Sequence, residues 1–134
     1  MTNEFVTKRV GELLRLNGFD IPTVYYYYKD SDEPYKTFAR SAYNWNSRDV
    51  EQYWNSRDVE QCSAPTVQVA RDWLEDKYGF FIEISRSIDT NATYHYRYLI
   101  IDKLCNVVFK QHTDFPSSYE AANAALKCCL ENLT

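Results

Sequence analysis

Apolar and polar residues alternate in three segments of the second half of the chain, and apolar residues at helical spacing flank these segments on both sides. The first of these helices is predicted to start within residues 63–66 and to end at Gly79, and the last starts at a capping box over residues 117–120. The predicted strands lie at residues 80–88, 93–103 and 107–111. The order from residue 63 is α-β-β-β-α, which predicts a two-layer α+β fold with both helices on one face of an antiparallel sheet.

The N-terminal part of the chain predicts one more helix and one more strand. The apolar stripe of this helix consists of Val6, Val10, Leu13 and Leu14. Thr2 or Asn3 is the predicted N-cap. Gly18 is expected to end the helix in the left-handed conformation, which places Phe19 against Leu14. The tyrosine-rich run at 24–28 then predicts a strand with rings on both faces.

Between these two parts, the octamer WNSRDVEQ occurs at 45–52 and again, unchanged, at 54–61. In one straight helix, nine residues at about 100° each would turn Trp45 and Trp54 to opposite faces, so the two rings could not share a core. Two interpretations remain: a passive tandem duplication in a surface insertion, or a doubled recognition element. The predicted organisation is an N-terminal helix and strand packed on the main domain (1–34), an insertion (35–62) and the main domain (63–134).

The composition is rich in aromatic residues, with twelve Tyr, seven Phe and three Trp among 134 residues. Tyrosines in such number typically line a half-buried sheet. The formal net charge is −4, and acidic residues exceed basic ones in both halves of the chain. Nucleic acid is therefore not the expected partner, because neutralising its phosphates requires a surplus of basic side chains.

The sequence favours a cytoplasmic protein without a membrane segment. No apolar run follows the opening residues as in a signal peptide, and no stretch reaches transmembrane length. In a reducing compartment the cysteines are expected to be free thiols. They are Cys62, Cys105, Cys128 and Cys129.

No residue pattern predicts a catalytic, cofactor-binding or metal-binding site. The cysteines and the two histidines, His95 and His112, lack the short spacing with which one loop or helical turn presents two metal ligands. Neither histidine belongs to a recognisable nucleophile motif, and the three glycines form no phosphate-binding loop. The chain is therefore expected to be non-enzymatic, with a small enzyme that lacks a known motif as an alternative.

The long second strand of the main domain offers the candidate binding surface. One of its faces carries a row of three tyrosines, and the other carries His95 and Arg97. Tyrosines that face outward would suit contact with another protein, because Tyr is enriched at interface hot spots. The alternative is that the rings lie under the helices or under the N-terminal strand. The candidate partner-binding residues are Tyr94, Tyr96, Tyr98, Trp45 and Trp54.

Several short motifs outside residues 35–62 carry a resemblance to known sequences. They are Phe5-Val6-Thr7, Gly18-Phe19, Ala64-Pro65-Thr66, Trp73-Leu74, Ile82-Glu83 and the helix start at 118–122. In these motifs the chain resembles a set of uncharacterised small proteins from gut anaerobes, their phages and their mobile elements. The resemblance implies a mobile-element origin and transfers no activity.

The α-β-β-β-α order itself resembles the double-stranded-RNA-binding domain. That family binds phosphates with a lysine cluster at the start of its last helix, whereas residues 117–123 of this chain include no basic residue and Lys127 is the only lysine of the predicted helix. The sequence therefore favours a module that binds another protein, with RNA binding as the alternative, and it leaves the oligomeric state open.

Overall fold

The computed structural model describes residues 4–27, 33–36, 62–110 and 113–133. Within these ranges the chain forms three helices and two three-stranded antiparallel sheets. The elements are α1 (Lys8–Leu16), β1 (Tyr25–Tyr27), β2 (Tyr35–Lys36), β3 (Cys62–Ser63), α2 (Val67–Tyr78), β4 (Phe81–Ile88), β5 (Tyr94–Ile101), β6 (Val107–Lys110) and α3 (Ser118–Glu131). The predicted α+β class is confirmed, as is the α-β-β-β-α order from residue 63.

Helix α1 begins later than its apolar stripe suggests. Thr7 is the N-cap, and its hydroxyl accepts a hydrogen bond from the backbone N–H of Val10. The predicted N-caps Thr2 and Asn3 were therefore wrong, and they lie outside the described residues. Val6 stays outside the helix because its N–H donates to the carbonyl of Pro65, 3.0 Å away, which holds this segment extended.

The end of α1 follows the prediction. Gly18 has a φ of 86°, the left-handed conformation that glycine adopts without a Cβ clash. Its N–H donates to the carbonyl of Arg15, and the N–H of Phe19 donates to that of Leu14 at 2.9 Å. These two bonds form a Schellman ending, and both Phe19 and Leu14 are buried in the core.

The smaller sheet has the order β2-β1-β3. Strand β3 was not predicted, and Ser63, expected at a helix start, pairs instead with Tyr26. The helix that follows starts after Thr66, whose hydroxyl accepts from the N–H of Val69. Sheet and helix α1 approach closely at Gly11, where an added Cβ would lie 3.0 Å from the carbonyl oxygen of Ser63.

The larger sheet has the order β4-β5-β6, and helices α2 and α3 pack on one of its faces. Leu74 from α2 and Leu126 from α3 meet Ile82 and Ile100 from the sheet in one buried cluster. Helix α1 contributes Val10, among others, to the same cluster. The start of α3 is the predicted capping box, in which the Ser117 hydroxyl accepts from the N–H of Glu120.

Polar side chains fasten the N-terminal segment to this core. The hydroxyl of Tyr27 donates to the carbonyl of Val6, and that of Tyr119 donates to the carbonyl of Phe5, each at 2.6 Å. The N–H of Thr7 donates to the side-chain oxygen of Asn123 on α3, 2.9 Å away. The domain boundaries at 34/35 and 62/63 stay predictions, because residues 37–61 lie outside the described residues.

Candidate functional site

The three predicted tyrosines of β5 differ in exposure. Tyr98 is 7% exposed and belongs to the core, where its ring stacks on Phe115 with 6.1 Å between centroids. Burial raises the pKa of the Tyr98 hydroxyl to about 12. Tyr96 is half-buried, whereas Tyr94 is 48% exposed. The tyrosines therefore share one face of the strand, but only its distal end is available to a partner. Trp45 and Trp54 lie outside the described residues.

Three exposed side chains lie together at the distal end of the β4–β5 hairpin, and we call them the hairpin patch: Arg86, Ile88 and Tyr94. Ile88 and Tyr94 are directly opposite each other in the antiparallel pairing, and Ile88 is 58% exposed. The guanidinium carbon of Arg86 lies 4.6 Å from the centre of the Tyr94 ring, within cation–π distance. The patch therefore combines apolar area with one positive charge.

The hairpin patch lies on the same face of the sheet as the core. Ile82 is buried beneath the helices and Ile84 is half-buried, but the strand then continues into Arg86 and Ile88, which are exposed. The alternation along β4 puts Ile88 on the same face as Ile82 and Ile84, and the candidate binding residues predicted from the sequence do not include it. The sequence does contain a sign of this exposure. Arg86 is a charged residue on the same face of the strand as three isoleucines, and it lies where the helices no longer cover the sheet.

The opposite face of β5 carries a network of charged side chains. Asp89 accepts a hydrogen bond from Nε2 of His95 at 2.8 Å, and Asp114 accepts one from Nε of Arg97 at 2.5 Å. The hydrogen bond from His95 holds the pKa of Asp89 below its usual value, and the one from Arg97 does the same for the pKa of Asp114.

This network does not have the geometry of a nucleophilic triad. Such a triad needs one ring nitrogen on the orienting carboxylate and the other on the nucleophile. In His95, Nε2 is bonded to Asp89, while Nδ1 lies 3.8 Å from Asp114. Ser87 is paired with His95 across the strands, yet both ring nitrogens face carboxylates. The arrangement therefore fits an exposed structural network better than a general base.

A pocket with a mainly apolar lining lies elsewhere in the chain. A pocket of about 320 Å³ is formed by the N-terminal segment, the residues around β1 and the start of α2. Phe5 and Tyr25 form part of its wall, with 4.5 Å between their ring centroids. Neither His95 nor its two carboxylate neighbours line this pocket, so the pocket and the titratable network do not combine into one active site.

Two of the four cysteines, Cys62 and Cys129, are buried. Burial raises the pKa of both Cys62 and Cys129 to about 12, which keeps them protonated and unreactive at neutral pH. Cys105 is exposed in the turn between β5 and β6. Across the described ranges, no group of three or more His, Cys, Asp or Glu side chains is arranged to hold a metal ion.

The positions that would contact duplex RNA carry little positive charge. In α2, Arg71 donates to the carbonyl of Ile82, and Lys77 lies 5.5 Å from the ring centre of Trp73. The turn at 89–93 and the start of α3 contain no lysine or arginine. These positions are therefore unlike a surface that neutralises several phosphates.

Comparisons of the chain with family models, curated proteins and solved structures found no match. Among the described residues, no helix combines the length and the apolar character needed to cross a membrane.

Proposed function

We propose that this protein is a non-enzymatic interaction module that binds another protein through the hairpin patch. The observation that carries the proposal is the adjacent exposure of Ile88 and Tyr94 on the face of the sheet that elsewhere forms the core. Large apolar side chains exposed side by side are typical of contact surfaces, whereas single ones are common everywhere.

The chemistry of the patch supports a protein partner. Tyr and Arg are the residue types that contribute most at interface hot spots, and here the Tyr94 ring is already positioned by Arg86. Because these side chains lie on a rigid two-stranded ladder, little conformational entropy is lost on binding. A cytoplasmic setting on a mobile element belongs to the same proposal and is supported by the resemblance to small proteins of gut anaerobes and their phages.

The proposal is tested by capture from a host lysate with a tagged chain, with and without nuclease, read by mass spectrometry. The double variant Ile88→Ser/Tyr94→Ser is expected to lose a nuclease-resistant protein that the unchanged chain captures, with affinity reduced at least about tenfold. The matched control is Leu104→Ser, because Leu104 is 81% exposed in another turn.

Two outcomes would contradict the proposal. In the first, the double variant and the Leu104→Ser control retain the same captured protein equally. In the second, nuclease removes every captured protein, which would favour an RNA-binding function instead.

A further inference from the structure

Strand β4 forms one edge of the larger sheet, since β5 is its only neighbour among the described strands. The direction of its backbone groups follows from two contacts of the hairpin. The N–H of Asp89 donates to the carbonyl of Thr93, and Tyr96 exchanges both of its backbone hydrogen bonds with Phe115 on the far side of β5. In an antiparallel pair, successive residues point their N–H and C=O groups to opposite sides.

In β4 the backbone N–H and C=O groups of the odd-numbered residues therefore point toward β5, and those of the even-numbered residues point away from the sheet. The outward groups belong to Ile82, Ile84, Arg86 and Ile88. The guanidinium of Arg71 in α2 donates to the carbonyl of Ile82 at 2.6 Å, as expected for a carbonyl that does not face β5. The same contact closes the edge at that end, which leaves Ile84 to Ile88 as the part that no described strand pairs with.

The open part of this edge has one of the usual protections against unspecific pairing, a charged side chain, and lacks the others. Proteins normally blunt exposed edges with charged side chains, proline or a bulge, and here Arg86 supplies the charge. The sequence of β4 contains neither proline nor lysine, and its pairing with β5 runs without a bulge over all eight residues. Residues 85–88 are exposed throughout. The geometry thus offers a regular template for one further strand.

We propose that the open edge of β4 binds an extended segment of a partner protein that has an acidic residue at its centre and adds a fourth strand to the sheet. This inference rests on the proposed function and specifies how the partner is held. Arg86 occupies the middle of the open edge, so a carboxylate opposite it gains a favourable cross-strand pair. Residues two positions to either side lie opposite Ile84 and Ile88, where apolar side chains fit.

The same position disfavours a second copy of this chain. A two-fold antiparallel pairing that uses the edge from Ile84 to Ile88 has its centre at Arg86, so two arginines of like charge would face each other. Shifting the register by two residues toward Ile82 requires the carbonyl that Arg71 already occupies. Shifting the register in the opposite direction reduces the number of paired residues. A partner strand with an acidic centre avoids the repulsion between arginines, the competition with Arg71 and the shorter pairing.

The test uses a synthetic peptide and the full chain labelled with ¹⁵N. The peptide is acetyl-Lys-Thr-Ile-Thr-Glu-Thr-Ile-Thr-Lys-amide, which places Ile, Glu and Ile on one face, and its control carries Lys in place of Glu. The backbone amide signals of Ile84, Arg86 and Ile88 are expected to shift, and the Glu peptide should bind about two- to fivefold more tightly than the control.

Two variants separate edge pairing from other binding. Arg86→Glu should reverse the preference between the two peptides, because the charge is exchanged while the backbone is kept. Arg86→Pro removes an outward N–H that β5 does not use, so the fold should survive in circular dichroism while peptide binding is lost. If Arg86→Pro fails to fold, the inference is tested by Arg86→Glu alone, through the reversed preference between the two peptides.

Absence of amide shifts along Ile84 to Ile88 at millimolar peptide would overturn the inference, as would an unchanged peptide preference in Arg86→Glu. These failures are distinguishable from failure of the proposed function. If the Ile88→Ser/Tyr94→Ser variant loses its captured protein while no peptide adds to the edge, the hairpin patch binds by side chains alone.

Discussion

The two ends of the β4–β5 hairpin are built from similar residues but have different surroundings. At the covered end, Ile82 and Ile100 are opposite each other and packed beneath α2 and α3, and Ile100 is fully buried. At the distal end, Ile88 and Tyr94 are opposite each other in the same register and are about half exposed. The strand pattern is the same at both ends, so the length of the sheet that α2 and α3 cover decides which apolar pairs belong to the core.

The contrast has an energetic meaning. Removing the side chain of Ile100 from water contributes roughly 1.5–3 kcal/mol to folding. Ile88 keeps most of its apolar surface in water, so that contribution is still available when a partner covers it. The hairpin therefore joins buried core surface and exposed apolar surface in one continuous element.

The largest expected effect comes from truncating one isoleucine at each end. Ile100→Ala should lower the free energy of unfolding by about 2–5 kcal/mol, because it loses buried surface and leaves a cavity. Ile88→Ala should change it by less than about 0.5 kcal/mol, as expected for an exposed site. Urea denaturation of both variants measures the difference. Equal losses at the two positions would contradict the comparison.

A second prediction concerns the backbone of β4. The N–H groups of Ser85 and Ser87 point toward β5, whereas that of Arg86 between them points outward. Native-state hydrogen exchange should therefore be at least about tenfold faster at Arg86 than at its two neighbours. Equal protection of the three amides would show that something covers the edge and would contradict the open template.

Much of the fold could be predicted from the sequence because local signals encode it. The capping hydroxyl of Ser117 and the glycines Gly18 and Gly79 mark helix ends by their own conformational preferences. The alternation in β4 and β5 reports burial on one face. These signals need no knowledge of distant residues, so a single sequence contains them.

Of the smaller sheet only β1 was predicted, from the tyrosine-rich run at 24–28, because its other two strands are too short for a periodic signal. Strands β2 and β3 have two residues each, and pairing with β1 defines them. The candidate site was only partly predicted for a related reason. Tyr94 and Tyr98 are equivalent in the alternation, and only the packing of α3 and Phe115 makes one of them core.

The smallest expected effect concerns the turn between β4 and β5 at the exposed end of the hairpin. Hydrogen bonds, rather than apolar packing, stabilise this turn. The Asp89 carboxylate accepts from the N–H groups of Asn91 and Thr93, at 2.8 and 3.0 Å, and from His95. Because the pKa of Asp89 is lowered in the folded state, its contribution to stability is present above the unfolded pKa of about 3.9 and is lost as the pH falls through the folded pKa. The stability difference between the unchanged chain and Asp89→Asn should therefore be largest above about pH 5 and shrink in acid. Thermal unfolding across this range measures it, and a difference that persists at the acid end would mean that the turn does not depend on the carboxylate charge.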